Sequence, residues 1–391
     1  MTVHTNNFDH MIKITSRWAL PTFFLPCLQW LIWAFMVVMP MSSHATDAPA
    51  GLFTRVRDVT LSDGLPVRNL DGDWRIGYDA STSNPRAMRY AQIEMGWQSA
   101  WGDWSLIERK EAFLEMSADT ASLLALYQQK TAPEVSTLNR SAQAKFLGWH
   151  ARGGAWRSNA WQWQNTELRW GLQGFQLLEL RQYETTGTWG ADVSGVYQYA
   201  VQANDVSSRQ GVPPGTTLGA PSSNGWGGSF SFDITHHLND VHRLRFVAED
   251  AYSQLRWRQL TTQQERLNTS IKSRNSAGYI DYAPAVVGQY TSTNFLTQIP
   301  TTWTTEWRWK TYPWLETSTS WTDRFGMQQR WLGANYLTGA FNWGLAVEPF
   351  RHAKQLSLRH THWQFGLAWD QPHISASHVF SWHASFLLPL N

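Results

Sequence analysis

The sequence predicts an all-β protein, a transmembrane antiparallel up-and-down β-barrel of about 14 strands, within a range of about 12–16. Three observations predict it. Apolar and polar residues alternate with period two through segment after segment, which gives each strand one greasy and one polar face. The chain carries 25 Trp in 391 residues, and many of them stand on the greasy phase. After residue 45 no apolar run approaches the roughly 20 residues that a spanning helix needs. Alternation alone also suits a secreted β-sandwich or carbohydrate-binding protein. Trp separates the two readings, because its amphipathic ring favours the membrane–water interface where barrels carry aromatic girdles.

The C-terminal third shows the pattern best. Ile374, Ala376, His378, Phe380, Trp382, Ala384, Phe386 and Leu388 share one phase, against Ser375, Ser377, Ser381, His383 and Ser385 on the other. Trp363, Phe365, Leu367 and Trp369 repeat it, as do Phe341, Trp343, Leu345 and Val347. Strand signals begin near Trp74, Ile76 and Tyr78 and recur at Met88–Trp97, Ala100–Ile107, Phe175–Tyr183, Leu244–Tyr252, Trp303–Leu315 and Met327–Leu337. Residues from Trp189 to Ala203 read as one long strand. Residues 205–228, rich in Gly, Pro and Ser, and the polar residues 259–276 read as long loops. Within residues 110–128, Ala118-Asp119-Thr120 ahead of Leu123, Leu124 and Leu126 reads as a short helix, in the lumen or between strands.

The first 45 residues read as a secretory signal peptide. Lys13 and Arg17 precede an apolar run from Trp18 to about Pro40, and Ser43-His44-Ala45 places small residues before a cut after Ala45. A membrane-anchoring helix is the alternative, and Pro21, Pro26 and Pro40 favour cleavage over it. Cys27, the single cysteine, lies in the segment to be removed, so the mature chain has no disulfide and no cysteine metal ligand. Residues 46–70 read as a periplasmic leader and residues 71–391 as the barrel. The formal net charge is +2, with no basic stripe of the kind that binds nucleic acid.

The polar strand faces line the lumen, so they hold the candidate site residues. Arg243, Arg245, Arg256, Arg258, Arg308 and Lys310 supply positive charge there, with Glu249 and Glu306 in phase. Such residues either form a constriction that selects solutes by sign or brace the wall as cross-strand ion pairs. His360 and His362 stand opposite the phase of Trp363 and are expected inward, near His383; a third convergent ligand would make them a metal site. No metal and no cofactor is expected.

Enzyme signals are weak. Ser223-Asn224-Gly225 resembles part of the outer-membrane phospholipase motif, but Pro221 stands where that family has its His base. His383-Ala384-Ser385 resembles the His-x-Ser pair of lipid A deacylases, with no acidic partner beside it. No catalytic residue is assigned.

The whole mature chain resembles the Gram-negative outer-membrane β-barrel class, through its leader, its aromatic alternation and a last strand bearing Trp382, Phe386 and Leu388. The chain departs from the class pattern by running on through Leu388-Pro389-Leu390-Asn391. The resemblance implies an outer-membrane location with lipid around the barrel. The class hosts several activities, so fold does not fix function. The expectation is a porin-like pore or facilitator for small solutes or sugars. The alternatives are a lipid-modifying hydrolase and a blocked structural or export-linked barrel acting through its loops.

Overall fold

The computed structural model describes residues 50–67, 84–99, 101–129, 136–191, 197–208, 225–268, 272–274, 280–282, 286–339 and 341–390. The expected signal peptide, the strand signal at Trp74–Tyr78 and Ser223 lie outside them.

Strand β1 (Gly51–Asp63) pairs antiparallel with β2 (Arg86–Ser99) along its whole length. It also pairs with β20 (Val379–Pro389), from Gly51 opposite Pro389 to Leu61 opposite Val379. That second ladder joins the first wall strand to the last and closes the sheet into a barrel, the condition for crossing hydrocarbon with strands. Residues 51–63, read from the sequence as part of a leader, are thus the first wall strand. Their alternation is hidden because Arg55 and Arg57 face inward while Thr54, Val56 and Asp58 take the other phase.

Around the ring follow β3 (Gly102–Met116), β5 (Ala144–Arg157) and β7 (Thr166–Ala191). One position is shared by β8 (Tyr197–Ser207) and β9 (Gly225–His237), which pair in turn with the upper and lower parts of β7. Next comes β10 (His242–Asn268), flanked by a second shared position, β13 (Val286–Thr297) with β14 (Thr302–Tyr312). The wall is completed by β15 (Leu315–Arg324), β16 (Met327–Leu337), β17 (Phe341–Glu348), β18 (Ala353–His360) and β19 (Trp363–Trp369). Among the described residues this is a closed antiparallel barrel of 14 strand positions, as the sequence predicts. Three short pieces lie outside that count: β4 (Ser136–Ser141), β6 (Trp161–Trp163) and the hairpin of β11 (Lys272–Arg274) with β12 (Ile280–Tyr282).

Three element readings change. The long strand expected from Trp189 to Ala203 is the end of β7 and the start of β8, with Trp189 opposite Tyr199. The period survives because residues opposite each other on paired strands face the same side. Residues 259–268 are strand rather than loop, since β10 runs on to Asn268 against β8 and β13. Ile374–Ala376 forms a 3₁₀ turn, and β20 starts only at Val379.

Short links join strands at one end, at 99–102, 237–242, 312–315, 337–341 and 360–363. Longer connections lie at the other, including helix α1 (Ala118–Gln129). Ser117 caps that helix by accepting a hydrogen bond from the Thr120 amide at 3.2 Å. Neither sequence-based placement of the helix holds. Ala121 and Leu124 pack with Ala87, Ala112, Leu114 and Phe146, which stand on the outward phase of β2, β3 and β5. This covered collar lies on the loop side of the lipid belt.

The belt itself is apolar and open. Trp104 (45 % exposed), Leu106 (75 %), Trp307 (42 %), Leu345 (67 %) and Trp343 (48 %) all point outward. Such exposure would be an aggregation hazard in water and is what lipid contact requires. Rows of rings continue across strands, with Trp97, Trp104, Trp156 and Trp170 in successive contact at centroid distances of 6.3, 6.0 and 4.5 Å.

Candidate functional site: a charged lumen closed at one end

The lumen is crossed by a buried ion cluster. Arg109 of β3 donates from Nε to Glu111 Oε1 at 2.6 Å and from Nη1 to Asp250 Oδ1 of β10 at 3.0 Å. Arg324, the last residue of β15, donates to Glu111 Oε2 at 2.6 Å and lies 3.9 Å from Asp250. All four side chains are at most 4 % exposed. Strands β3 and β15 stand nearly opposite each other in the ring, so the Glu111–Arg324 pair bridges the lumen. Asp250 reaches the cluster through an irregularity in β10, where the register shifts between Ala248 and Tyr252 and Asp250 adopts φ +56°. Asp tolerates that left-handed conformation better than most residues.

The turn after Arg324 adds an apolar cover. Phe325 (φ +55°) and Gly326 (φ +72°) form a two-residue link with both central φ values positive, as in a type I′ hairpin. A bulky residue in that region costs on the order of 1–3 kcal/mol. Phe325 stacks on Phe113 of β3 at 4.4 Å with the rings 2° from parallel. Such a pair contributes about 0.5–1.5 kcal/mol beyond area burial, enough to offset much of the strain. Met327 next to the turn is buried with Leu61, Met88 and Val379. The β15–β16 tip therefore folds over the lumen instead of standing in the wall.

On the short-turn side of this closure lies a cavity of about 320 Å³. Its charged lining comprises Arg55, Arg57, Arg109, Arg157, Arg169 and Arg245, with Glu94, Asp233, Glu249 and Asp250. Most of these charges are paired. Arg55 holds Glu94 at 3.4 Å and Asp103 at 2.8 Å, Arg57 holds Glu249 at 3.1 Å, and Arg245 grips both oxygens of Asp233 at 2.9 and 2.6 Å. Arg157 and Arg169 have no side-chain partner among the described residues.

The residues singled out from the sequence divide three ways. Arg243, Arg245, Glu306 and Arg308 do face the lumen. They form the cross-strand ladder, with Arg308 at 2.7 Å from Glu306 and 3.4 Å from Glu316, and Arg243 at 3.7 Å from Glu316. Lys310 shares their phase, is exposed near the short-turn rim and stands opposite Glu316 in register. Arg256 and Arg258 are not in the lumen. They flank Trp257, which is 1 % exposed and takes the inward phase, so both arginines point out, Arg256 over the ring of Trp226 at 5.1 Å. The irregularity near Asp250 resets the phase between Arg245 and Arg256.

The histidines separate too. His360 stands outward on β18, against Phe341 at 5.1 Å and Trp363 at 5.7 Å. Its phase cannot be carried over from Trp363, because the β18–β19 turn lies between them and holds His362. His383 does face inward, 3.2 Å from Gln364. Among the described residues, no three His, Cys, Asp or Glu side chains converge as a metal set. Ser385 shares the inward phase of His383, with no hydrogen bond between their side chains among the described residues.

The residues that sequence reading misses are Arg109, Glu111, Asp250 and Arg324, together with Arg157 and Arg169. Arg109 and Glu111 stand in a run of four charges, Glu108-Arg109-Lys110-Glu111, in which the local pattern does not tell the inward pair from the outward one. The role of Arg324 depends on a turn folding inward, which no local pattern announces.

No protein-family model and no curated protein matches the sequence. Solved structures resemble the chain over most of its length at low identity. The P. putida toluene transporter TodX is 7% identical over 88% of this chain and 91% of its own, with a TM-score of 0.39. A Pseudomonas aeruginosa FadL homologue is 9% identical over 88% and 90%, with a TM-score of 0.36. The Ralstonia pickettii toluene transporter TbuX is 7% identical over 88% and 89%, with a TM-score of 0.30.

Proposed function

We propose that this chain is an outer-membrane facilitator for small polar solutes, with a lumen that is closed at rest. The observation that supports it best is the charged cavity within a closed barrel, ending at a closure that joins the Arg109–Glu111–Asp250–Arg324 cluster to the Phe325 hairpin tip. Placing the short turns on the periplasmic side, as bacterial barrels do, puts the cavity mouth toward the periplasm and the closure toward the outside. A permanent pore would have no need of the Phe325 contact. A purely structural plug would have no need of a charged cavity beneath it. Sugars are not specifically favoured, because charge rather than inward-facing aromatic surface dominates the cavity.

The test is solute entry into liposomes carrying the purified barrel, for wild type and Phe325→Asn. Asn suits the left-handed turn position and removes the ring that stacks on Phe113. The variant should admit small neutral solutes at least about tenfold faster than wild type, with the gel mobility of the folded barrel unchanged. The second reading, a blocked barrel acting through its loops, draws on the Glu111–Arg324 bridge. It predicts no entry in either protein, and that result would overturn the facilitator.

A further inference from the structure

We infer that Arg157 and Arg169 form a binding site for the carboxylate of a small organic acid, and this rests on the facilitator reading above. The two residues are near neighbours on paired strands. Arg157 of β5 stands opposite Gly171 of β7, and Arg169 lies two residues from Gly171 on the same inward phase. Diagonal neighbours of this kind are about 7–8 Å apart at the backbone, within reach of long side chains. Both line the cavity and both are exposed.

Their lack of a partner has a specific cause, since each faces a carboxylate across the ladder that another arginine already holds. Arg157 is opposite Asp103, and Asp103 Oδ2 accepts from Arg55 at 2.8 Å. Arg169 is opposite Asp233, and both oxygens of Asp233 accept from Arg245. The remaining lining carboxylates, Glu94, Glu249 and Asp250, are held by Arg55, Arg57 and Arg109. Including Asp103, Glu111 and Arg324 behind the lining, cations exceed carboxylates by one charge. A monoanion fits that excess, and guanidinium matches the planar oxygen pair of a carboxylate.

The experiment titrates the folded barrel in detergent with sodium propionate at constant ionic strength and follows the heat of binding by isothermal titration calorimetry. Sodium phosphate and glucose are the parallel titrants. The proteins are wild type, Arg157→Gln/Arg169→Gln and, as a control outside the cavity, Arg256→Gln. Saturable propionate binding that weakens at least about tenfold in the double variant and stays unchanged in Arg256→Gln is the expected result. Binding of phosphate alone, equal propionate binding by the double variant, or no saturable response in wild type would each overturn the site. Because the readout is binding, failure here with normal solute entry in Phe325→Asn rejects the carboxylate site and keeps the facilitator. Failure of entry with propionate binding intact does the reverse.

Discussion

The His383 imidazole lies so close to Gly366 on the neighbouring strand that a Cβ there would collide with the ring. Glycine at 366 therefore lets the ring lie flat on the wall and reach Gln364. Gly366→Ala should push His383 off that contact and destabilise the barrel by about 1–3 kcal/mol, the usual cost of overpacking. A lower temperature for loss of the folded gel form measures it. Asp370, in the connection after β19, is a second residue with a defined task. It accepts hydrogen bonds from the His378 and Val379 amides at 3.0 Å and from the Ser377 hydroxyl, fixing where β20 begins. Burial penalises its carboxylate, but the hydrogen bonds from His378, Ser377 and Val379 outweigh that and hold its pKa well below the ordinary Asp range. A depressed folded value means full stabilisation above the unfolded pKa of about 3.9, lost as pH falls through the folded one. Asp370→Asn should therefore unfold at lower temperature at neutral pH, with the gap to wild type narrowing only in strong acid. A gap that stays constant with pH would contradict this assignment. Neither role was legible in the sequence, because each depends on what stands across a ladder or a turn.

Among elements, the β15–β16 hairpin matters most for the proposed closure. The sequence marks its strands clearly, and β16 spans the predicted Met327–Leu337. It does not mark the direction of the tip, which follows from Phe325 meeting Phe113 and Arg324 meeting Glu111 far along the chain. Removing one member of that buried ion cluster would leave a charge unpaired at about 3–5 kcal/mol, and a misfolded variant would obscure any effect on gating. Phe325→Asn avoids this, since it leaves every charge in place and relieves a strained φ. It should lower thermal stability only modestly while opening the lumen, because the relieved φ partly offsets the lost ring contact; a large loss of stability would mean that the ring is needed to fold the hairpin and not only to close the lumen. Period-two alternation located β14, β16 and β17 well because lipid outside and water inside impose opposite demands on successive residues. It failed at β1, where charge enters both phases, and at β7–β8, where the period runs on from one strand into the next. It also misled at Arg256 and Arg258, beyond the irregularity at Asp250. Local pattern carries strand identity, whereas phase after an irregularity is a tertiary property.

For the whole molecule, closure of β1 on β20 is the feature on which stability depends. The ladder from Gly51–Pro389 to Leu61–Val379 joins the first wall strand to the last, so the boiled and unboiled protein should migrate differently on SDS gels. Identical migration would argue against a detergent-resistant barrel. The barrel class and the strand number follow from composition and period, since lipid imposes them on the entire wall. The charged cavity and its closure do not, because they arise where distant strands meet across the lumen. The measurement that tests the central claim most directly is single-channel recording of wild type and Phe325→Asn in planar bilayers. A lumen closed at rest by the hairpin tip predicts rare, brief openings for wild type and sustained, larger conductance for the variant. Equal sustained conductance in both would contradict the closure, and silence in both would contradict the channel.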